Sequence, residues 1–300
     1  MPKLRDFRAA LALLLCAMPA AAAPDVLATI KPVHSLVAAV MQGVGTPELL
    51  IRGALSEHSY ALKPSDARKI ERAAAIFEIG PDLETYLTAP LATLGARGRV
   101  VVLERAPGVR LLAARRGGLW EDADEHGPSD PHLWLDPRNA VAMTAAIAAT
   151  LAKLDPAHEA AYRANGAREI AALKALDKEL AAMLAPLRGR PYLVFHDAYR
   201  YFEARYGLTA AGAVTVAPDR PVGPRRIEAL RAAILQGRVA CIFREPQFSP
   251  KLIGTLGEGS AVRVGVLDPL GADLKPGPAL YPELLRALAQ SLTGCLGKKR

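Results

Sequence analysis

The sequence predicts an α/β fold of two lobes, each with a parallel sheet flanked by helices, joined by one long rigid spine helix. Three observations lead there. Short apolar runs of strand type alternate with helix-type segments, which is how βα units and parallel sheets read. The alternation occurs twice, over residues 26–103 and again after residue 190. Between the two series lies a helical stretch with a leucine stripe, and 300 residues are enough for two cores.

In the first series, strands are expected at 26–30, 48–51, 75–79 and 100–103, with helices from Pro32 to Met41 and from Pro64 to Ala74. Gly80-Pro81 ends the third strand. In the second series, strands are expected at 191–195, within 208–216, at 239–243 and at 261–267, with a helix from Pro224 to Leu235. The spine starts at Asp155-Pro156, a capping acid followed by a proline in the first turn. Ile170, Leu173, Leu176, Leu180 and Leu184 then recur at steps of three or four, marking one apolar face. A continuous helix from Ala157 to Leu184 would run roughly 42 Å at ~1.5 Å per residue. Asn165-Gly166 is a candidate break in it.

Residues 1–23 differ from the rest. Lys3, Arg5 and Arg8 precede an apolar run from Ala9 to Ala17, and alanines before Pro24 offer an Ala-x-Ala cleavage site. This is the pattern of a cleaved signal peptide, too short to span a bilayer comfortably. Leu15 stands before Cys16, where lipid attachment wants a small residue, so a lipoprotein is not expected. The expected organisation is a signal peptide at 1–23 and an N-terminal α/β lobe at 24–154. A mobile acidic loop at 115–131 belongs to that lobe. The linking helix follows at 155–187 and a C-terminal α/β lobe at 188–300.

Export shapes the reading of charge and cysteine. The full chain carries +8; Lys3, Arg5, Arg8 and Asp6 account for +2 of it, leaving +6 on the mature chain. Basic residues are scattered, with a small cluster only at Lys298-Lys299-Arg300, so no nucleic-acid stripe is present. Cys241 and Cys295 remain after export, and two cysteines in an oxidising compartment are expected to pair; two buried free thiols are the alternative. Such a bridge would add on the order of 3–4 kcal/mol by restricting the unfolded chain.

The sequence holds six histidines. His58 follows a predicted strand end, His196 directly follows the strand at 191–195, and His132 lies in Asp130-Pro131-His132-Leu133-Trp134-Leu135-Asp136-Pro137. Ligands of open parallel sheets bind beyond the carboxyl ends of strands. Three neutral imidazoles meeting in a cleft would suit zinc. The gaps of 74 and 64 residues match no local metal motif, so spacing alone leaves packing or surface roles open. His34 is expected to help start the first helix or to pack near the cleft, and His158 to be exposed.

The motifs Glu57-His58-Ser59-Tyr60, Leu62-Lys63-Pro64-Ser65-Asp66, the His132 segment, Phe195-His196-Asp197-Ala198-Tyr199, Glu245-Pro246-Gln247-Phe248 and Leu267-Asp268-Pro269-Leu270-Gly271 run in order along the chain. Together they resemble the solute-binding components of bacterial zinc and manganese ABC importers, the zinc subgroup in particular. The resemblance implies a metal site in the cleft between lobes, with His58, His132 and His196 as ligands. It leaves Glu57 or Asp268 as candidate fourth ligand, with water as the third choice. A histidine in third place, where manganese members carry glutamate, points to zinc over manganese. It further implies zinc as a transported ion, a permease of an ABC importer as partner, a periplasmic location, a monomer and no catalysis. It also fits a Cys241–Cys295 bridge. Zinc members often carry a histidine-rich loop before the second ligand; here that segment is short and acidic, with only His126. The competing expectations are a manganese-binding importer component, a zinc-dependent hydrolase and a metal-dependent adhesin, although no His-Glu-x-x-His helix occurs.

Overall fold

The computed structural model describes residues 22–120, 129–215, 218 and 221–297. Most of the predicted signal segment, residues 121–128 of the expected acidic loop with His126, and the Lys298–Arg300 cluster lie outside them. Strands β1 (Val26–Ala28), β2 (Glu48–Leu49), β3 (Ala75–Glu78) and β4 (Val100–Val102) form one parallel sheet in the order β2-β1-β3-β4. Strands β5 (Tyr192–His196), β6 (Ala210–Thr215), β7 (Cys241–Arg244) and β8 (Arg263–Val266) form a second parallel sheet in the equivalent order β6-β5-β7-β8. The strands are apolar runs because helices cover both faces of a parallel sheet. In β5 the alternation of side chains is visible in the packing. Tyr192 and Val194 face the large core that reaches across both lobes, while Leu193 and Phe195 face a smaller core on the outer side. His196, two residues beyond Val194, is thereby aimed at the interlobe side.

Helix α1 (Lys31–Val40) has Pro32 in its first turn, and all of its residues are buried. Helix α2 (Pro64–Arg72) follows the loop after β2, and α3 (Thr88–Thr93) the turn after β3. Helix α4 (Pro137–Leu154) starts at Asp136, whose Oδ1 accepts from the Arg138 N–H at 2.8 Å. Helix α5 (Glu159–Leu184), entered through a 3₁₀ turn at Pro156–His158, spans 26 residues, about 39 Å. Helices α6 (Arg200–Tyr206), α7 (Pro224–Leu235) and α8 (Lys251–Gly257) belong to the second sheet, and α9 (Leu280–Leu296) returns to pack on β8, α5 and α1.

Asn165-Gly166, the candidate break, does not interrupt the helix; α5 runs through it. Helices α4 and α5 pack along each other so closely that a Cβ on Gly166 would lie 2.7 Å from the Ala148 Cβ. Asn165 Nδ2 donates to the carbonyls of Val40 (2.9 Å) and Gln42 (2.7 Å) at the end of α1. Both residues serve tertiary contacts at some cost in helix propensity. Leu173, Leu176, Leu180 and Leu184 are buried as the stripe implies, whereas Ile170 is half-buried. Helices α4 and α9 were not anticipated as separate elements. Among the described residues, no single helix is long and apolar enough to cross a membrane. Cys241 and Cys295 form a disulfide that ties β7 to α9.

Candidate metal centre

Each strand-derived loop delivers its side chain through local hydrogen bonding. After β2, the Ser56 Oγ accepts from the His58 N–H at 3.2 Å. Asp66, in the first turn of α2, accepts from the Tyr60 hydroxyl (2.7 Å) and the Lys63 N–H (3.1 Å), which folds the loop back and leaves Glu57 only 2% exposed. Ahead of α4, Asp130 Oδ1 accepts from the His132 N–H and faces its Nδ1, both at 2.9 Å. The Trp134 indole N–H, two residues on, donates to the Pro269 carbonyl of the opposite lobe at 2.8 Å. At the end of β5, His196 Nδ1 lies 2.7 Å from Glu245 Oε2, and the Tyr199 hydroxyl donates to Glu245 Oε1 at 3.0 Å. Glu245 follows β7, the strand beside β5, so His196 and Glu245 meet at the point where strand order reverses.

The three imidazoles converge through Nε2. His58 and His132 Nε2 are 3.2 Å apart, and His196 and His132 Nε2 are 3.3 Å apart. Glu57 joins them, and the four ligand atoms lie within 4.8 Å of one another. Zinc–nitrogen bonds of 2.0–2.1 Å in a tetrahedron require nitrogen separations of about 3.3–3.4 Å. His132 is fully buried and His196 1% exposed, so the ion's surroundings would be dry. Glu57 Oε1 is buried without a hydrogen-bond partner, and such an atom is costly unless it meets a cation.

The electrostatics fit the geometry. Burial disfavours the His196 cation, but the charge and hydrogen bond of Glu245 outweigh it and push its pKa up to about 9. Burial raises the Glu57 carboxyl to about 7. With Nδ1–H directed at Asp130 and Glu245, His132 and His196 present Nε2 lone pairs toward the centre once they are neutral.

Asp268 is not brought into this cluster. Its Oδ1 accepts from Gln247 Nε2 (2.8 Å) and from the N–H groups of Leu270 (3.0 Å) and Gly271 (2.9 Å), and its Oδ2 from Ala272 N–H (2.5 Å). Those bonds close the turn after β8. His34 is buried with Nε2 3.1 Å from the Pro47 carbonyl, and His158 pairs with Asp155 at 2.7 Å. Asp130 and Glu245 were missed as ring-orienting groups. Asp130 was legible as the acid two places before His132, and Glu245 as an acid just past the end of β7, beside the end of β5 that carries His196.

Comparison with known proteins bears on what such a centre is for. Residues 26–295 match the family model described as zinc-uptake complex component A, periplasmic. The chain belongs to this family. The high-affinity zinc uptake system protein ZnuA of Brucella suis biovar 1 is 45% identical, with 91% of this chain and 92% of that protein aligned. The protein of that name from Paracoccus denitrificans is 37% identical, with 96% and 97% aligned. A crystal structure of ZnuA superposes with a TM-score of 0.77 at 27% identity, covering 91% of this chain and 99% of the other. A zinc-bound ZnuA deletion mutant gives 0.78 at 26%, covering 93% and 100%. These matches bear out the predicted two-lobed α/β class and the resemblance to zinc importer components. The periplasmic zinc-binding protein TroA of Treponema pallidum, at 22% identity and a TM-score of 0.78, covering 91% of this chain and 99% of the other, shares the fold.

Proposed function

We propose that this chain captures zinc in the periplasm and hands it to the permease of an ABC importer, with His58, His132, His196 and Glu57 as the four ligands. The observation that carries the reading is the spacing of three Nε2 atoms at 3.2 and 3.3 Å, the edge of a zinc tetrahedron. Asp130 and Glu245 hold two of the rings, so the site is assembled before the ion arrives. Binding replaces the His196 proton with the metal, and the Glu57 carboxylate offsets part of its charge.

A site closed by four protein ligands favours holding an ion over activating a water, which argues against a hydrolase. Its nitrogen-rich set favours zinc over manganese. Release requires the lobes to part, and the long α5 restricts that movement to a small one; docking on the permease supplies the bias. The signal segment is removed on export, and the mature chain acts as a monomer. The test is metal analysis of purified protein with titration of the ion-free form. One zinc per chain, undisplaced by equal manganese, is expected. A preference for manganese, or turnover of ester or amide substrates by the zinc-loaded protein, would overturn the reading.

A further inference from the structure

We propose that Arg115 is a positioning residue for retention of the ion. It ties the chain segment leading toward His132 to the strand that carries His196, and so sets how fast the ion leaves. The inference rests on the metal-capture reading above.

The segment is anchored at two ends. At its root, the Arg110 N–H donates to Asn139 Oδ1 (2.8 Å) and its carbonyl accepts from Asn139 Nδ2 (3.0 Å), which fixes it to α4, the helix entered from His132. The Leu112 N–H donates to the Tyr201 hydroxyl (2.9 Å), which donates to the Asp130 carbonyl (2.9 Å). Asp130 is the residue whose carboxylate holds His132. At the far end, Arg115 grips Asp197, the residue after His196. Its Nε lies 3.0 and 3.1 Å from the two carboxylate oxygens, and Nη2 donates to Oδ1 as well. Its Nη1 donates to Glu203 Oε2 on α6 at 2.6 Å. The Trp120 ring covers the guanidinium, with its centre 3.6 Å from the Cζ atom. The Leu119 carbonyl then accepts from Ala213 N–H of the edge strand β6 at 3.2 Å.

A planar fork held by two carboxylates under an aromatic ring is a directional grip that an ammonium or amide does not reproduce. A second tie between the lobes is made at α1. There Lys31 Nζ donates to the carbonyls of Gly271 (2.9 Å) and Ala272 (2.5 Å), and Lys31 is 4% exposed. Opening on that side would leave a buried ammonium without partners. The Arg115 side chain is 16% exposed, but the Asp197 and Glu203 carboxylates it holds are buried, so its release too leaves buried charge without a partner. Parting of the lobes at this point must break the Arg115 fork, so the strength of that hold enters the rate of release.

The test is stopped-flow transfer of zinc from the loaded full-length protein to excess chelator. Losing a charge-assisted, two-pronged contact should speed release about tenfold or more in Arg115→Gln, with Arg115→Lys between it and wild type. Arg205→Gln is the control, since Arg205 forms another forked pair, with Asp177 of α5 (2.8 and 2.5 Å). It should release at the wild-type rate. The cobalt-loaded absorption spectrum should be the same in all variants, because the ligands are untouched. Wild-type release in Arg115→Gln, or equal acceleration in Arg205→Gln, would overturn the proposal. If Arg115→Gln does not fold, Arg115→Lys decides, and a wild-type rate in it is equally fatal. Wild-type protein that binds no zinc defeats the capture reading itself; tight wild-type binding with unchanged release in the Arg115 variants defeats only this one.

Discussion

Zinc and protons compete for the same atoms, and the structure sets the terms of that competition. The charge and hydrogen bond of Glu245 push the His196 pKa up to about 9, so at pH 7 the ring is mostly protonated and any metal that needs its Nε2 must displace a proton. Between pH 9 and 7 one proton per ion must leave, and zinc affinity should weaken about tenfold per pH unit. Below about 7 the buried Glu57 carboxyl holds a second proton, and the dependence should steepen to about a hundredfold per unit. From pH 7 to 5 the loss should therefore reach at least about 10⁴-fold. Calorimetry in buffers of different ionisation enthalpy counts the protons directly, with about one expected at pH 8 and about two at pH 6. Glu245→Gln removes the two largest of the four causes that raise His196, leaving the charges of Glu57 and Asp197, so proton release at pH 8 should fall. An affinity that stays flat between pH 7 and 5 would refute the histidine site. Unchanged proton release in Glu245→Gln would refute the role given to Glu245.

Other outcomes follow from the same contacts. His58→Ala, His132→Ala and His196→Ala should each weaken zinc more than about tenfold by titration, since each removes a nitrogen ligand; unchanged affinity in two of them would remove the site. Glu57→Ala should weaken zinc at neutral pH. Asp268→Ala should lower the melting temperature with little change in affinity, because it opens a turn held by four hydrogen bonds. Replacing Cys241 and Cys295 by serine should cost about 2–4 kcal/mol in denaturant unfolding and leave zinc bound; loss of zinc with the fold intact would contradict it. In the ion-free protein, burial and the nearby Glu78 raise the Glu84 carboxyl to about 8, so its contribution to stability is complete below pH 4.5 and is lost as pH rises through 8. Glu84→Gln should accordingly make the decline of stability between pH 5 and 8 shallower by one proton.

Much of the fold was legible because parallel strands buried on both faces read as apolar runs, and all eight appeared within a few residues of their expected places. Their ends were read too long at Ile30, Ile51 and Leu267, where the apolar run continues beyond the strands; the Ile51 and Leu267 N–H groups still donate to the Thr29 and Arg244 carbonyls there. Helix α4 went unseen as a separate element because its alanine-rich stretch carries little contrast between faces. Asn165-Gly166 looked like a break, since local propensity cannot register the Ala148 Cβ against which the glycine packs.

The histidines divide along the same line. Position in the chain marked His58 and His196 as residues just beyond strand ends, and family motifs added His132. Composition determined that zinc would suit such a set better than manganese, because ligand chemistry belongs to the side chains themselves. Adjacency to His58 favoured Glu57 over Asp268, but order in the chain could not decide between them. Both sit in loops after strands, and only the folded molecule shows one carboxylate facing three imidazoles and the other saturated by its own turn. Distances across gaps of 74 and 64 residues are set by how α1, α4, α5 and α9 pack the two sheets against one another. Sequence separation carries no information about that packing, so the 3.2 Å that gathers three scattered histidines into a candidate metal centre belongs to tertiary structure alone.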